Sequence, residues 1–480
     1  AAPVMRLAMA DTAVVRRAAG VVLGLLWAVT GAWAQSGWRV DRYMLELEPR
    51  FATQTVHGTL RMDFSVLRSG LSQILLDAGG LHIDAVTLAG QPLAFDKTGS
   101  TLRIDLPATV RIQAQQQLHV RYWGTGGSAG LRMDPAGPQV ATAFSTSQWM
   151  PCLDDPAVRA PFQLGLLLPP GLVSVGNGTP TKPQLRQDGK RLHRWRLAAA
   201  VPSYLYGFAA GRFVEARAAG GRTQLAYYAP ASEFTPAQLQ QVFADTADIL
   251  AFFEHRAGVR YSLPAYRQVL LAGPAAQEMA GFSVMGARYG KRVLDNPEAI
   301  WLGAHEAAHQ WWGNGLTNQS WRHFWLNEGV ATFMTAAYLE HRFGVQAYAD
   351  NMEAARSKYL AIRAAGQDRS LVFPDWDNPT ATDRSLVYDK GALVLHELRN
   401  LLGDATFWKA FKHYTRKHWG QSVETADFQR AMEEGSGVDL SAFFRQWVEA
   451  RPLRAALRAH ELTGATVLLK GAVTIVVGRS

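Results

Sequence analysis

The hydrophobic period of this 480-residue chain changes near its middle, and that change constrains the fold more than any other feature. From Trp38 to about Arg212, apolar and polar residues alternate over short runs. Val56, Leu60, Met62, Phe64 and Val66 face one way while His57, Thr59, Arg61, Asp63 and Ser65 face the other, the period-two pattern of a half-buried strand. Leu118, Val120 and Tyr122 repeat it against His119 and Arg121, and turn signals such as Gly79-Gly80, Pro169-Pro170-Gly171 and Asn177-Gly178 separate the runs. From about Pro236 the period lengthens. Leu239, Val242, Phe243, Ile249, Leu250 and Phe253 form a stripe that predicts one long amphipathic helix, with Thr246 its only polar member. The expected architecture is therefore α+β and multidomain. An antiparallel β domain is expected over 35–213, a mainly α-helical domain over 214–451, and a short strand segment over 452–480, with a hairpin around Lys470-Gly471. The length of chain after Arg451, about 30 residues, is too short for a further large helical domain there.

Composition removes several function classes. With 48% hydrophobic, 10% aromatic and 19% charged residues, the chain is neither disordered nor collagen-like. Its net charge of +9 invites a nucleic-acid reading, but the basic residues are scattered, the densest group being Lys409 to Lys417, and no basic stripe is interleaved with aromatics. No nucleic-acid partner is expected. Residues 1–34 read as an export signal peptide: Arg6, Arg16 and Arg17 precede an apolar run from Ala18 to Trp33, which closes on the small-x-small site Ala32-Trp33-Ala34. A periplasmic or secreted protein beginning near Gln35 is expected, attached to a membrane only if that leader stays uncleaved. Cys152 is the only cysteine, so no internal disulfide can form, and it reads as a small buried hydrophobe.

One helix is expected to carry the chemistry. Asn296-Pro297 reads as a helix start and Gly313 as a stop, predicting a helix over Ile300 to Trp312 that holds His305-Glu306-Ala307-Ala308-His309. Histidines four apart project from one helix face, so both imidazoles can reach one ion, with Glu306 beside them. Zinc suits imidazole and carboxylate donors and accepts three protein ligands with a water in the fourth position. The third ligand is assigned to Glu328, on a second helix predicted from Trp325 to Phe343 and closed by Gly344. Chance would place His-Glu-x-x-His in a chain of this composition only about 0.01 times. Zinc lowers the pKa of a bound water to about 7, and Glu306 is placed to accept the proton, so metal-assisted peptide or amide hydrolysis is the expected reaction.

These residues carry a family likeness. His305-Glu306-x-x-His309, followed by Glu328 within Trp325-Leu326-Asn327-Glu328-Gly329, resembles the gluzincin aminopeptidases, the family of aminopeptidase N and of the leukotriene hydrolase. Pro151-Cys152-Leu153-Asp154-Asp155-Pro156, Tyr204 to Phe213, Ala275 to Gly281 and Tyr388-Asp389-Lys390-Gly391-Ala392 resemble further elements in the family's order. The resemblance implies a thermolysin-like catalytic domain with one zinc ion and peptide substrates bearing a free N terminus. It also implies that Glu278 binds the substrate's α-ammonium and that Tyr388 donates to the oxyanion. Ala275, Gln277 and Met279 depart from the family's Gly, Met and Asn, and no second amine-binding Gln or Glu can be placed between Gln139 and Cys152. Two alternatives to an aminopeptidase stay open. One is a zinc hydrolase of altered specificity, acting as an endopeptidase or on a non-peptide ester or epoxide; the other is a catalytically silent peptide-binding scaffold.

Overall fold

The computed structural model describes residues 37–449, apart from 113–114, 135–136, 374–375 and 377–378. The expected leader and the expected hairpin around Lys470 lie outside the described residues. Long alternating strands build the N-terminal half. Its largest sheet has nine strands, centred on Trp38–Arg50, Thr55–Val66, Gln115–Thr125 and Arg159–Leu168. The alternation read from the sequence sets its faces, since Val56, Leu60, Met62, Phe64, Val66, Leu118, Val120 and Tyr122 are all buried. Asp63, expected to face solvent, is also buried, where Arg42 neutralises it at 2.6 Å.

The sheet is not wholly antiparallel. Trp38–Arg50 and Arg159–Leu168 run parallel, with Tyr43 opposite Phe162 and Leu47 opposite Leu166. More than 100 residues separate these two strands, ample for the crossover that a parallel pair requires.

The second half is less purely helical than its period suggests. A five-stranded sheet, in the order Phe213–Gly220, Thr223–Pro230, Ala265–Leu271, Phe282–Gly286, Ala276–Met279, forms one wall of it. Ala265–Leu271 and Phe282–Gly286 are buried at every position, so they show no alternation by which a sequence could announce a strand. Ala276–Met279 is the sheet's edge, which places Glu278 on a strand rather than a loop.

Two helix expectations are corrected. The stripe from Leu239 to Phe253 is divided between Pro236–Val242 and Thr246–Ala257; Thr246 opens the second helix, and its buried hydroxyl donates to Gln268 at 2.6 Å. The zinc-motif helix spans Trp301–Ala308, shorter than expected at both ends. Asn296 does not cap it. Its side chain instead accepts the N–H of Glu298 at 3.1 Å, holding a turn ahead of the helix. The helix Trp325–Phe343 forms as expected, and Gly344 ends it at φ 96°.

Three apolar cores hold these layers. One fills the β domain, one the helical half, and a third, including Val175, Ala209, Phe213, Val269, Met279 and Val284, joins the two. Cys152 lies in the first of these, fully buried, and Trp311 and Trp312 lie in the second. Among the described residues no helix is long and apolar enough to cross a membrane.

Candidate metal centre

Helical spacing sets the ligands. His305 and His309 lie one turn apart with their Nε2 atoms separated by 3.1 Å, and each Nε2 lies 3.2 Å from Glu328 Oε2. Around a tetrahedral ion bonded at about 2.0 Å, neighbouring ligand atoms sit about 3.3 Å apart, so these three atoms already describe one face of such a site. Two imidazoles and a carboxylate are a zinc donor set, and the residues present fit one zinc ion. The Nδ1 of His309 faces the Trp312 carbonyl at 3.0 Å, where its proton has an acceptor and Nε2 is left for the metal. The His305 ring stacks on Trp301 at 4.7 Å between centroids.

Close packing of two glycines couples this set to Tyr388. Gly329 follows Glu328 and Gly391 follows the turn Leu386–Lys390; a Cβ on Gly329 would lie 2.8 Å from the Gly391 Cα, and one on Gly391 would lie 2.9 Å from the Gly329 Cα. Only paired glycines allow that approach. It brings the Tyr388 ring within 5.9 Å of His305. Burial, then the negative charges of Glu328, Glu278 and Glu306, raise the Tyr388 phenol well above its ordinary value, so it keeps its proton.

Glu278 and Glu306 form a second potential donor group with His309, also wholly buried. Glu278 Oε1, Glu306 Oε2 and His305 Nδ1 have no hydrogen-bond partner among the described residues, and all three side chains line one cavity of about 780 Å³. Burial raises the Glu278 carboxyl to about 7, with repulsion from Glu328 adding and His309 opposing. Burial likewise raises Glu306 well above the carboxylate range. On His309, burial opposes charge, but the pull of Glu328 and then Glu278 prevails and lifts the imidazole to about 10. Burial penalises a charged Glu328 too, and His309 overrides it, holding that carboxyl far below its usual range. Three buried carboxylates thus converge where a cation is needed to balance them.

The structure brings together all six residues singled out from the sequence: His305, Glu306, His309, Glu328, Glu278 and Tyr388 line the same cavity. It also shows what the altered strand does. Met279 is fully buried in the core that joins the two halves, away from the cavity, and its carbonyl accepts from Gln310 at 2.9 Å and Asn314 at 3.1 Å. Gln277 lines the cavity and donates to the Glu278 carboxylate at 3.1 Å. Gln139 instead exchanges two hydrogen bonds with Ala272, so Gln277 is the carboxamide that accompanies Glu278.

Sequence reasoning missed an aromatic wall. Phe144 sits 4.9 Å from Trp321, Trp321 lies 5.4 Å from Phe324, and Phe324 lies 5.3 Å from Trp376, all lining the cavity. The signal for part of it was Trp321 and Phe324, three apart and just ahead of Glu328. Nothing in the sequence marked Phe144, held at φ 54° where few non-glycine residues are found.

The peptidase family M1 domain matches residues 242–447, and the peptidase M1 N-terminal domain matches residues 40–205. The chain belongs to peptidase family M1. Aminopeptidase N of Lactococcus lactis is 26% identical over 85% of this chain and 50% of its own length. Leucine aminopeptidase 2 of Aspergillus niger is 26% identical over 77% of this chain and 63% of its own. This M1 chain therefore spans about half to two thirds of these two relatives. It is similar along nearly the whole length of one smaller protein: a two-domain M1 zinc metallopeptidase, solved as a variant bound to L-tryptophan, is 25% identical, with a TM-score of 0.72, covering 87% of this chain and 95% of that one. The M1 zinc metallopeptidase from Deinococcus radiodurans has the same fold at 24% identity and a TM-score of 0.72, covering 87% and 95%.

Proposed function

We propose that this chain is a zinc-dependent aminopeptidase that hydrolyses the first bond of peptides bearing a free amino terminus. One observation carries the reading: the unpartnered Glu278 Oε1 is buried in the same cavity as the ligand set His305, His309 and Glu328. A buried carboxylate without a cation is costly, and a substrate ammonium supplies one. A Glu278 carboxylate oxygen lies within 4.8 Å of a His309 ring nitrogen, so an amine held at Glu278 would set the first residue of the peptide beside the metal ligands and with it the register of cleavage. The names of the curated relatives and the amino acid bound in the two-domain structure support this reading.

His305, His309 and Glu328 would hold one zinc ion, which would supply Lewis-acid polarisation of the scissile carbonyl and activation of a water. Glu306, whose buried Oε2 has no partner among the described residues, would accept a proton from the attacking water and return it to the leaving nitrogen. Tyr388 donates its phenolic proton to the oxygen on which negative charge develops. Gln277 holds the Glu278 carboxylate towards the amine. The Phe144, Trp321, Phe324 and Trp376 wall presents an apolar surface to the substrate.

The test compares an aminoacyl anilide having a free amine with its N-acetylated form, after metal analysis of the purified protein. Turnover of the free form alone, lost in the Glu306→Gln variant, is expected. Equal turnover of both forms would refute the exopeptidase reading, and equal hydrolysis by Glu306→Gln and parent would remove Glu306 from the mechanism. Export is part of the proposal as well, supported by the leader pattern of residues 1–34. Protein recovered from outside the cytoplasm should begin near Gln35; a different start would refute that leader assignment.

A further inference from the structure

A second concavity, of about 740 Å³, opens beside the active-site cavity. The two share Trp301 and Leu302, at the first turn of the zinc-ligand helix, and adjoin at consecutive residues Ala275 and Ala276. The edge strand Ala276–Met279 leads from one to the other. Glu278, Gln277 and Ala276 line the first, and Ala275, Pro274 and Gly273 line the second. Arg132 marks the seam, lining the first cavity while donating to the Pro274 carbonyl. An extended peptide laid along a sheet edge follows its direction. With its amine at Glu278 and its first carbonyl at the metal ligands, the remainder must run away from Glu278, towards Pro274 and the second concavity.

The floor of that concavity is basic. The helix Ala287–Asp295 presents Arg288, Lys291 and Arg292, spaced three and four apart on one face, and all three are exposed. Among the described residues Glu233 is the only acid lining it, and it is paired with Lys291. Arg288 and Arg292 make no ion pair among the described residues. Three cations stand against one acid in a space that adjoins the catalytic cavity.

We propose that this concavity receives the part of the peptide beyond the cleaved bond, and that Arg288 and Arg292 select for a carboxylate there. The inference rests on the aminopeptidase reading and adds a substrate class to it. From Glu278 to Pro274 is four residues, at most about 13 Å at strand spacing, so the favoured carboxylate belongs to roughly the third to fifth residue of the substrate. It comes either from an acidic side chain or from the C terminus of a short peptide.

Two substrate pairs separate these sources. The first pair is amidated pentapeptides differing only in Asp or Lys at position four; the second is a neutral tetrapeptide as free acid and as amide. The readout is the ratio of kcat/KM within each pair, so any general change in activity cancels. At low ionic strength the carboxylate-bearing member should be favoured about three- to tenfold, with the preference shrinking towards unity in about 0.5 M salt. In the double variant Arg288→Glu, Arg292→Glu the ratio should fall to one or below. A ratio of one in the parent for both pairs, or one unchanged by the double variant, overturns the proposal. If the parent cleaves no peptide, the aminopeptidase reading fails by itself. The groove is then judged by equilibrium binding of the same pairs to the Glu306→Gln protein, where preference for the carboxylate supports it and equal affinity overturns it.

Discussion

Gly391→Ala tests whether packing of the two glycines sets catalytic geometry. The added Cβ would lie 2.9 Å from the Gly329 Cα, a backbone atom that cannot rotate aside, whereas ordinary contact begins at 3.4 Å. The two helices must separate by about 0.5 Å or more, at an overpacking cost of about 1 to 3 kcal/mol. Alanine's better helix propensity returns up to about 1 kcal/mol, so the net stability loss is small, about 0 to 2 kcal/mol. Catalysis should suffer more, because Tyr388 lies on the segment just before Gly391 and Glu328 just before Gly329, and an error approaching 1 Å in a reacting group can cost about 100-fold. Gly329→Ala should be worse. Its Cβ meets three backbone atoms at 2.8 to 2.9 Å, the Val387 carbonyl oxygen among them. The assay pairs kcat on an aminoacyl anilide with zinc content and thermal unfolding of the same preparations. The expected result is a kcat loss of about 10- to 100-fold in Gly391→Ala with zinc retained, and a larger loss in Gly329→Ala. A Gly391→Ala protein that keeps parental kcat, or that loses activity only in proportion to lost zinc, would refute the coupling.

Three further expectations follow from particular contacts. Tyr388→Phe should lower kcat by about 10²- to 10³-fold while leaving zinc content near the parental level; metal lost along with activity would contradict its role as oxyanion donor. Tyr204→Phe removes the hydroxyl that donates to the Gly313 carbonyl at 3.2 Å and accepts from Asn327 at 3.1 Å, so Glu328 loses a support one residue away; zinc affinity, measured by competition with a chelator, should fall about 10-fold or more, and unchanged affinity would make Tyr204 a packing residue only. His193, His323, His396 and His418, all outside the metal centre, are held below their ordinary value by burial. At these four sites the unfolded chain binds more protons than the folded one once pH falls through the unfolded value of about 6.5, so their contribution to stability declines from about pH 7 downward until the folded groups also titrate, whereas the raised Glu278 and Glu306 act in the opposite sense. Thermal unfolding of the parent and of a variant with these four histidines replaced by glutamine, measured across that range, checks it: the parent should lose more stability on acidification than the variant, and the reverse would contradict the sign.

What could be read in advance divides along physical lines. His305 and His309 were legible because ligand spacing on a helix is a local property, and Trp325–Phe343 because a long stripe with a terminal glycine is local as well. The strand carrying Glu278 was not. Its neighbours are buried on both faces, and an edge position is decided by which strand pairs where, a long-range fact absent from any window of sequence. Asn296 misled for a related reason: the same side chain that caps a helix can close a turn before one, and the choice depends on where the helix docks. Gln277 looked like a departure from the family pattern, yet its carboxamide reaches the Glu278 carboxylate, a relation visible only once the strand's facing is known.

The β domain is part of the metal centre, not merely attached to it. Asn177, which the sequence marks as a turn residue, donates to the carbonyls of Leu205 at 2.9 Å and Ala280 at 2.8 Å, tying the β domain to the strand end just past Glu278. Gly178, beside it, accepts from Arg267 of the five-stranded sheet at 2.9 Å. Tyr204 reaches both the turn after His309 and the residue before Glu328, so one hydroxyl of the N-terminal half braces the segments that carry two of the three ligands. Arg159 adds bonds to the Asn314 carbonyl at 3.1 Å and the Thr317 hydroxyl at 3.0 Å, and burial among these neutral acceptors lowers its guanidinium to about 10. A half-buried cation held by neutral oxygens is costly to place, and the same contacts fix the loop between the two ligand helices. Ligand spacing is local to the helices, but the separation between them is not, and the β domain's Tyr204, Asn177 and Arg159 brace the segments that carry Glu328 and Glu278 beside His305 and His309, where one cation and, on the proposed reading, one peptide amine would bind.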